Sequence, residues 1–155
     1  MRRHALAIAP ALTAALLVTL GSACQKQATG PTLSPAVTDT VQDQGATFKV
    51  EVSWQNKAAD EVEVVVEMTA TGIEQTDNLV VDVKTGGFVI TEGVPDWTGF
   101  VLPREHYTHR VSYKMLDDQD QGRMTVSIRR TLDSSMLWGT ELLFQREGGQ
   151  VRLVP

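Results

Sequence analysis

Residues 61–68 read Glu-Val-Glu-Val-Val-Val-Glu-Met. Val62, Val64, Val66 and Met68 alternate with Glu61, Glu63, Val65 and Glu67. A strand collects those four apolar side chains on one face, whereas a helix would scatter them around its circumference. Upstream, Phe48, Val50, Val52 and Trp54 alternate in the same way with Lys49, Glu51 and Ser53, and Gln55-Asn56-Lys57 separates the two runs. Downstream, Leu79–Val83 and Phe88–Thr91 flank Lys84-Thr85-Gly86-Gly87, a turn or hairpin signal.

The rhythm continues to the C-terminus. Tyr107, His109, Val111, Tyr113 and Met115 share one face, opposite Thr108, Arg110, Ser112 and Lys114. After the polar turn Asp117–Gly122 come Met124, Val126 and Ile128, alternating with Arg123, Thr125, Ser127 and Arg129. Leu137–Gln145 is read as a further strand with Trp138, Leu142 and Phe144 inward. Gly148-Gly149 then forms a tight hairpin into a last strand with Val151 and Leu153. About eight short strands, within a range of seven to nine, predict an all-β sandwich in which opposed strand faces share one core across about 10 Å. No internal repeat is visible.

Gly93-Val94-Pro95-Asp96-Trp97-Thr98-Gly99, followed by Val101-Leu102-Pro103, runs into the Tyr107–Met115 strand and the glycine at position 122. This stretch of about 35 residues resembles immunoglobulin-like modules of bacterial secreted and surface proteins. In those a Trp-x-Gly segment and a Leu-x-Pro-Gly-Glu-like turn precede a strand ending near a glycine. Arg104 stands where the turn glycine would be, and Glu105 is present. The resemblance implies an immunoglobulin-like β-sandwich and no particular ligand. A Cys-Trp-Cys framework is absent from the sequence, so the likeness to antibody domains stops at architecture.

The N-terminus has a different character. Arg2 and Arg3 precede an uncharged apolar run from Ala5 to Leu20, the length of a signal-peptide core and short for a spanning helix. Leu20-Gly21-Ser22-Ala23-Cys24 resembles the lipobox of bacterial lipoproteins, with Gly21 where leucine is favoured. The resemblance implies cleavage before Cys24 and a diacylglycerol on its sulfur. Gln25 in place of a retaining aspartate implies an outer-membrane address in a Gram-negative envelope. The alternative is ordinary cleavage after Ala23 and release of a soluble protein with a free thiol. Residues 1–23 are thus read as a signal peptide, 24–46 as a lipidated cysteine and flexible tether, and 47–155 as the folded domain. The tether reading rests on a segment rich in Thr, Gln, Pro and Ala with no aromatic residue.

Composition narrows the function. The chain has 155 residues and a formal charge of −5, and all 19 acidic residues follow Cys24. Without Arg2 and Arg3 the mature charge is about −7, which favours neither nucleic acid nor anionic lipid. The single cysteine provides no internal disulfide, so packing must hold the fold.

No cofactor, metal site or catalytic constellation is read. His106 and His109 are three apart on a strand, point to opposite faces and read as surface or rim residues. Asp117, Asp118 and Asp120 lack the glutamate that completes an EF-hand loop, because Arg129 stands there. The sequence has no Gly-x-Ser-x-Gly and no His-Glu-x-x-His, so a non-enzymatic role is expected. Trp54 and Trp138 fit the core by period. Trp97 lies in a Pro/Gly loop and either caps the sandwich or binds something. Arg110, Lys114, Arg123 and Arg129 are taken together as one candidate polar face for a protein partner. The expectation is a membrane-anchored accessory module of an envelope assembly; the alternative is a carbohydrate or small-ligand binding module.

Overall fold

The computed structural model describes residues 33–155. The expected signal-peptide helix, Cys24 and the first part of the tether lie outside the described residues. Ten strands follow in order: β1 (Ser34–Asp43), β2 (Ala46–Asn56), β3 (Glu61–Ala70), β4 (Leu79–Gly86), β5 (Phe88–Glu92), β6 (Asp96–Gly99), β7 (His106–Met115), β8 (Gln121–Arg130), β9 (Met136–Glu147) and β10 (Gln150–Leu153). They form two antiparallel sheets, β1-β2-β3-β7-β5 and β10-β9-β8-β4-β6. The alternating apolar residues of both meet in one core that includes Phe48, Val64, Met68, Val81, Tyr113, Met124, Ile128 and Phe144. No helix occurs among the described residues.

Two strands had no apolar alternation to announce them. Residues 34–43, expected within the tether, form β1, so the described fold includes Ser34–Asp43 ahead of Thr47. β1 pairs with β2 from Ser34↔Trp54 to Asp43↔Ala46, and the backbone ladder to an existing edge holds it although only Val41 and Asp43 are buried. β6 forms within the expected Pro/Gly loop by pairing its four residues with Leu79–Asp82 of β4.

The segment around Gly86-Gly87 is not a hairpin. β4 and β5 belong to different sheets, and the chain crosses the sandwich between them. Gly87 makes the crossing with φ +84, and a Cβ there would lie 2.9 Å from the Gln121 carbonyl oxygen, so glycine is required. Opposite it, Gly122 leaves room for the Phe88 ring, which packs edge-on to Phe144 at 5.7 Å.

Hydrogen bonds tie the sheets at one end and in the interior. The side chain of Asp43 is fully buried at the end of β1 and accepts from Arg130 Nε on β8 at 2.6 Å and from the Asp77 backbone N–H at 2.7 Å. Midway, the buried Tyr113 hydroxyl donates to the Val83 carbonyl at 3.3 Å, and burial pushes its pKa above the ordinary phenol value.

Two outcomes follow for stability. Gly122→Ala drives a methyl into the Phe88 ring and costs about 1–3 kcal/mol in urea unfolding. Adding Phe88→Leu to that variant recovers part of the loss, and strict additivity would refute the contact. Arg130→Ala leaves Asp43 buried without its cation and costs about 3 kcal/mol. A loss below about 1 kcal/mol, the value of an exposed pair, would show that the clasp contributes little.

Candidate interaction surfaces

The four cations expected on one face lie on two. Arg110 and Lys114 project from β7 in the first sheet, whereas Arg123 and Arg129 project from β8 in the second. The chain crosses the sandwich between β7 and β8, which turns the two outward faces in opposite directions. Each cation also has a carboxylate partner, on a neighbouring strand for the three arginines and in adjacent turns for Lys114. Arg110 meets Glu63 at 3.3 Å, Lys114 meets Asp60 at 3.3 Å and Asp117 at 3.5 Å, Arg123 meets Glu141 at 3.6 Å, and Arg129 meets Asp82 at 3.1 Å. Carboxylates around Lys114 raise its pKa, the hydrogen bond it donates to Asp60 foremost.

These pairs pave the outer walls. In the first sheet Lys49–Glu51, Gln55–Glu63–Arg110, His106–Glu67 and Lys57–Glu92 form a polar layer. Beneath that layer the outward-facing Val65 is 0% exposed, and Ser53 and Ser112 are buried as well. An outward position is therefore not an exposed one here. The long side chains cover their short neighbours with their methylene stems.

Trp97 lies on β6, half-buried against the core, with its ring 5.4 Å from that of Tyr107. Trp54 packs edge-on to Phe144, and Trp138 donates from Nε1 to Asp39 on β1 at 2.9 Å. All three tryptophans lean on the core and line no common outward face.

His109 corrects a second expectation, because it is buried rather than at the rim, whereas His106 is exposed. Its Nε2 has no hydrogen-bond partner. Desolvation holds its pKa below the ordinary histidine value, and the Pro95 carbonyl and Asp96 carboxylate partly oppose that. Among the described residues no three His, Cys, Asp or Glu side chains gather to hold a metal ion.

Sequence periodicity gave no sign of the apolar residues in the turns. Ile73 is 91% exposed in the β3–β4 connection and Leu132 is 89% exposed in the β8–β9 connection. Phe100, Leu102 and Met136 are exposed nearby. These turns are joined: Thr76 N–H donates to the Val101 carbonyl, Thr131 N–H donates to the Asn78 carbonyl, and Ile73 and Pro103 border one cavity. A single leucine or isoleucine between polar turn residues, as in Thr-Leu-Asp or Gly-Ile-Glu, was the signal available.

No protein-family model matches this sequence, and no curated protein resembles it closely enough to count as a relative.

Burial of neutral His109 sets a pH dependence with a defined sign. The folded-state pKa lies below the unfolded value of about 6.5, so the unfolded chain takes up the proton first. Stability is unaffected by this group above about pH 6.5 and falls as the pH drops from there through the lower folded-state pKa. Urea midpoints measured between pH 7.5 and 5.5 show that decline, and His109→Gln flattens it. An unchanged slope in the variant would assign the decline to other groups.

Proposed function

We propose that the chain is a lipid-anchored, non-catalytic interaction module of a bacterial cell envelope, in which Cys24 carries the anchor and an immunoglobulin-like sandwich meets a protein partner. The observation that carries the proposal is the lipobox-like Leu20–Cys24 with the chain's only cysteine at its end, followed ten residues later by the first strand. An anchor of two or more acyl chains holds stably because each buried CH₂ contributes about 0.8 kcal/mol.

The strand order supports the immunoglobulin-like part of the reading. In β2-β3-β7-β5 and β9-β8-β4 the order matches the A-B-E-D and G-F-C sheets of immunoglobulin constant domains. β1, β10 and β6 add to three of the four outer edges of that frame. A fold of this type supplies a stiff body with loops gathered at its ends. Gln25 supports an outer-membrane address, and the acidic surface supports a protein rather than a nucleic acid as partner.

Metabolic labelling with radioactive palmitate tests the anchor. The native chain incorporates label and sediments with membranes, whereas Cys24→Ala incorporates none and appears in the soluble fraction. An unlabelled native chain, cleaved after Ala23 and soluble, would replace this reading with that of a secreted protein.

A further inference from the structure

β1 starts at Ser34 and ends at Asp43, so the two ends of the sandwich can be named from it. The anchor end holds Ser34 and the turns at residues 57–60, 86–87, 116–120 and 148–149, tied by Leu116 N–H to Gly87 and Val151 N–H to Ala59. The far end holds the turn after Asp43 and the connections at residues 71–78, 100–105 and 131–135. Ile73, Phe100, Leu102, Leu132 and Met136 all stand at the far end, held together by the bonds between Thr76 and Val101 and between Asn78 and Thr131.

Backbone conformation marks the same end. The described non-glycine residues with positive φ are Gln44 at 48°, Arg104 at 66° and Ser134 at 58°, and each lies in one of these far-end turns. Left-handed backbone is disfavoured for such residues and persists where the surrounding structure fixes it. The far end is thus a set of tightly turned loops presenting large apolar side chains to water. Among its charges, Glu74, Asp77, Glu105 and Asp133 are acidic, while Arg130 is bound to Asp43 and Asp77, which leaves Arg104 as the other cation.

Chain length decides what can cover this end. Ser34 lies ten residues after Cys24, a stretch that spans at most about 35 Å in any conformation. The ten residues of β1 themselves span about 33 Å. With the domain upright on its anchor end the far-end turns stand about one domain length from the anchoring membrane, and an inverted domain reaches it only on a fully stretched linker. An acidic rim also opposes anionic headgroups. The occupant must come from beyond the anchoring membrane surface and carry the opposite charge.

We infer that the far-end turns bearing Ile73, Phe100, Leu102, Leu132 and Met136 are the docking surface for a second protein, one that offers an apolar patch rimmed by lysine or arginine. This inference rests on the lipid-anchor reading for its orientation. The anchor end then faces the membrane, and the partner is met about one domain length above it.

The test compares the full chain with Ile73→Ser/Leu132→Ser and with a control, Val89→Ser/Leu143→Ser, which removes apolar groups exposed elsewhere. Solubilised membranes are resolved by native electrophoresis, and the complex is identified by mass spectrometry. The wild-type and control chains run in a complex with a second protein, and high salt weakens it. The loop variant loses that complex at least tenfold while keeping its melting temperature and membrane attachment. A complex retained by the loop variant, or no complex at all, overturns the inference. So does a complex containing only this chain. Flotation of purified Cys24→Ala chain with phosphatidylethanolamine–phosphatidylglycerol vesicles, abolished by the loop substitutions, would make the surface a lipid-inserting one and likewise overturn it. Palmitate labelling and sedimentation of the same strains report the anchor separately, so loss of the docking inference is distinguishable from loss of the anchor.

Discussion

The sandwich stands on one apolar core shared by two sheets that the chain enters alternately. From β3 to β8 it crosses between sheets at every step, so neither sheet is complete until both have met. With its only cysteine at position 24, the described domain has no covalent tie between the sheets. Valine supplies much of the core because its branched Cβ suits a pleated, buried face. The polar ties are few and placed where the crossings need them. Tyr113 reaches the Val83 carbonyl in the interior, and Arg130 meets Asp43 at one end. In that setting even a methyl at Gly122 has nowhere to go, because the space belongs to Phe88.

The outer walls carry a different chemistry. Where the core uses apolar alternation, the intervening positions carry carboxylates opposite cations across neighbouring strands. Such exposed pairs add little stability singly. Their effect is to keep both walls hydrated and their charges internally matched, which gives another protein few unpaired groups to recognise. Cross-strand pairing also explains how Val65 is buried on an outward face: its neighbours Glu63 and Arg110 bond over it.

Six strands were legible from their own apolar alternation, from Phe48–Trp54 through Val62–Met68 to the strand after Gly148-Gly149, and two more, Leu79–Val83 and Phe88–Thr91, as apolar runs flanking Lys84–Gly87. β1 was not, because an edge strand paired along one side can form from Thr and Asp residues whose side chains stay in water. β6 is too short to show a period. The alternation also predicted that Arg110, Lys114, Arg123 and Arg129 point outward, but not which way outward is. Two consecutive strands could be a hairpin or a crossing, and that choice depends on long-range pairing with β3 and β4. The lipobox-like segment Leu20–Cys24 lies outside the described residues.

The correction at β1 changes what the proposed anchor would imply for the described domain. A tether running to residue 46 would let the domain tumble and offer any side to its surroundings. Under the proposed anchor at Cys24, a tether ending at Ser34 would have at most about 35 Å of reach and would attach the domain by one end of β1. β1 runs the length of the sandwich from Ser34 to Asp43, so on that proposal it would set which end faces away from the anchor. At Asp43 the Arg130 clasp secures the β3–β4 and β8–β9 connections to the body. The residues that hold the far end together are thus buried or paired, while Ile73 and Leu132 beside them are left in water. Stability and exposure are assigned to different side chains of the same turns. Apolar groups in such a position can change without loosening the core, which is the property a binding surface needs.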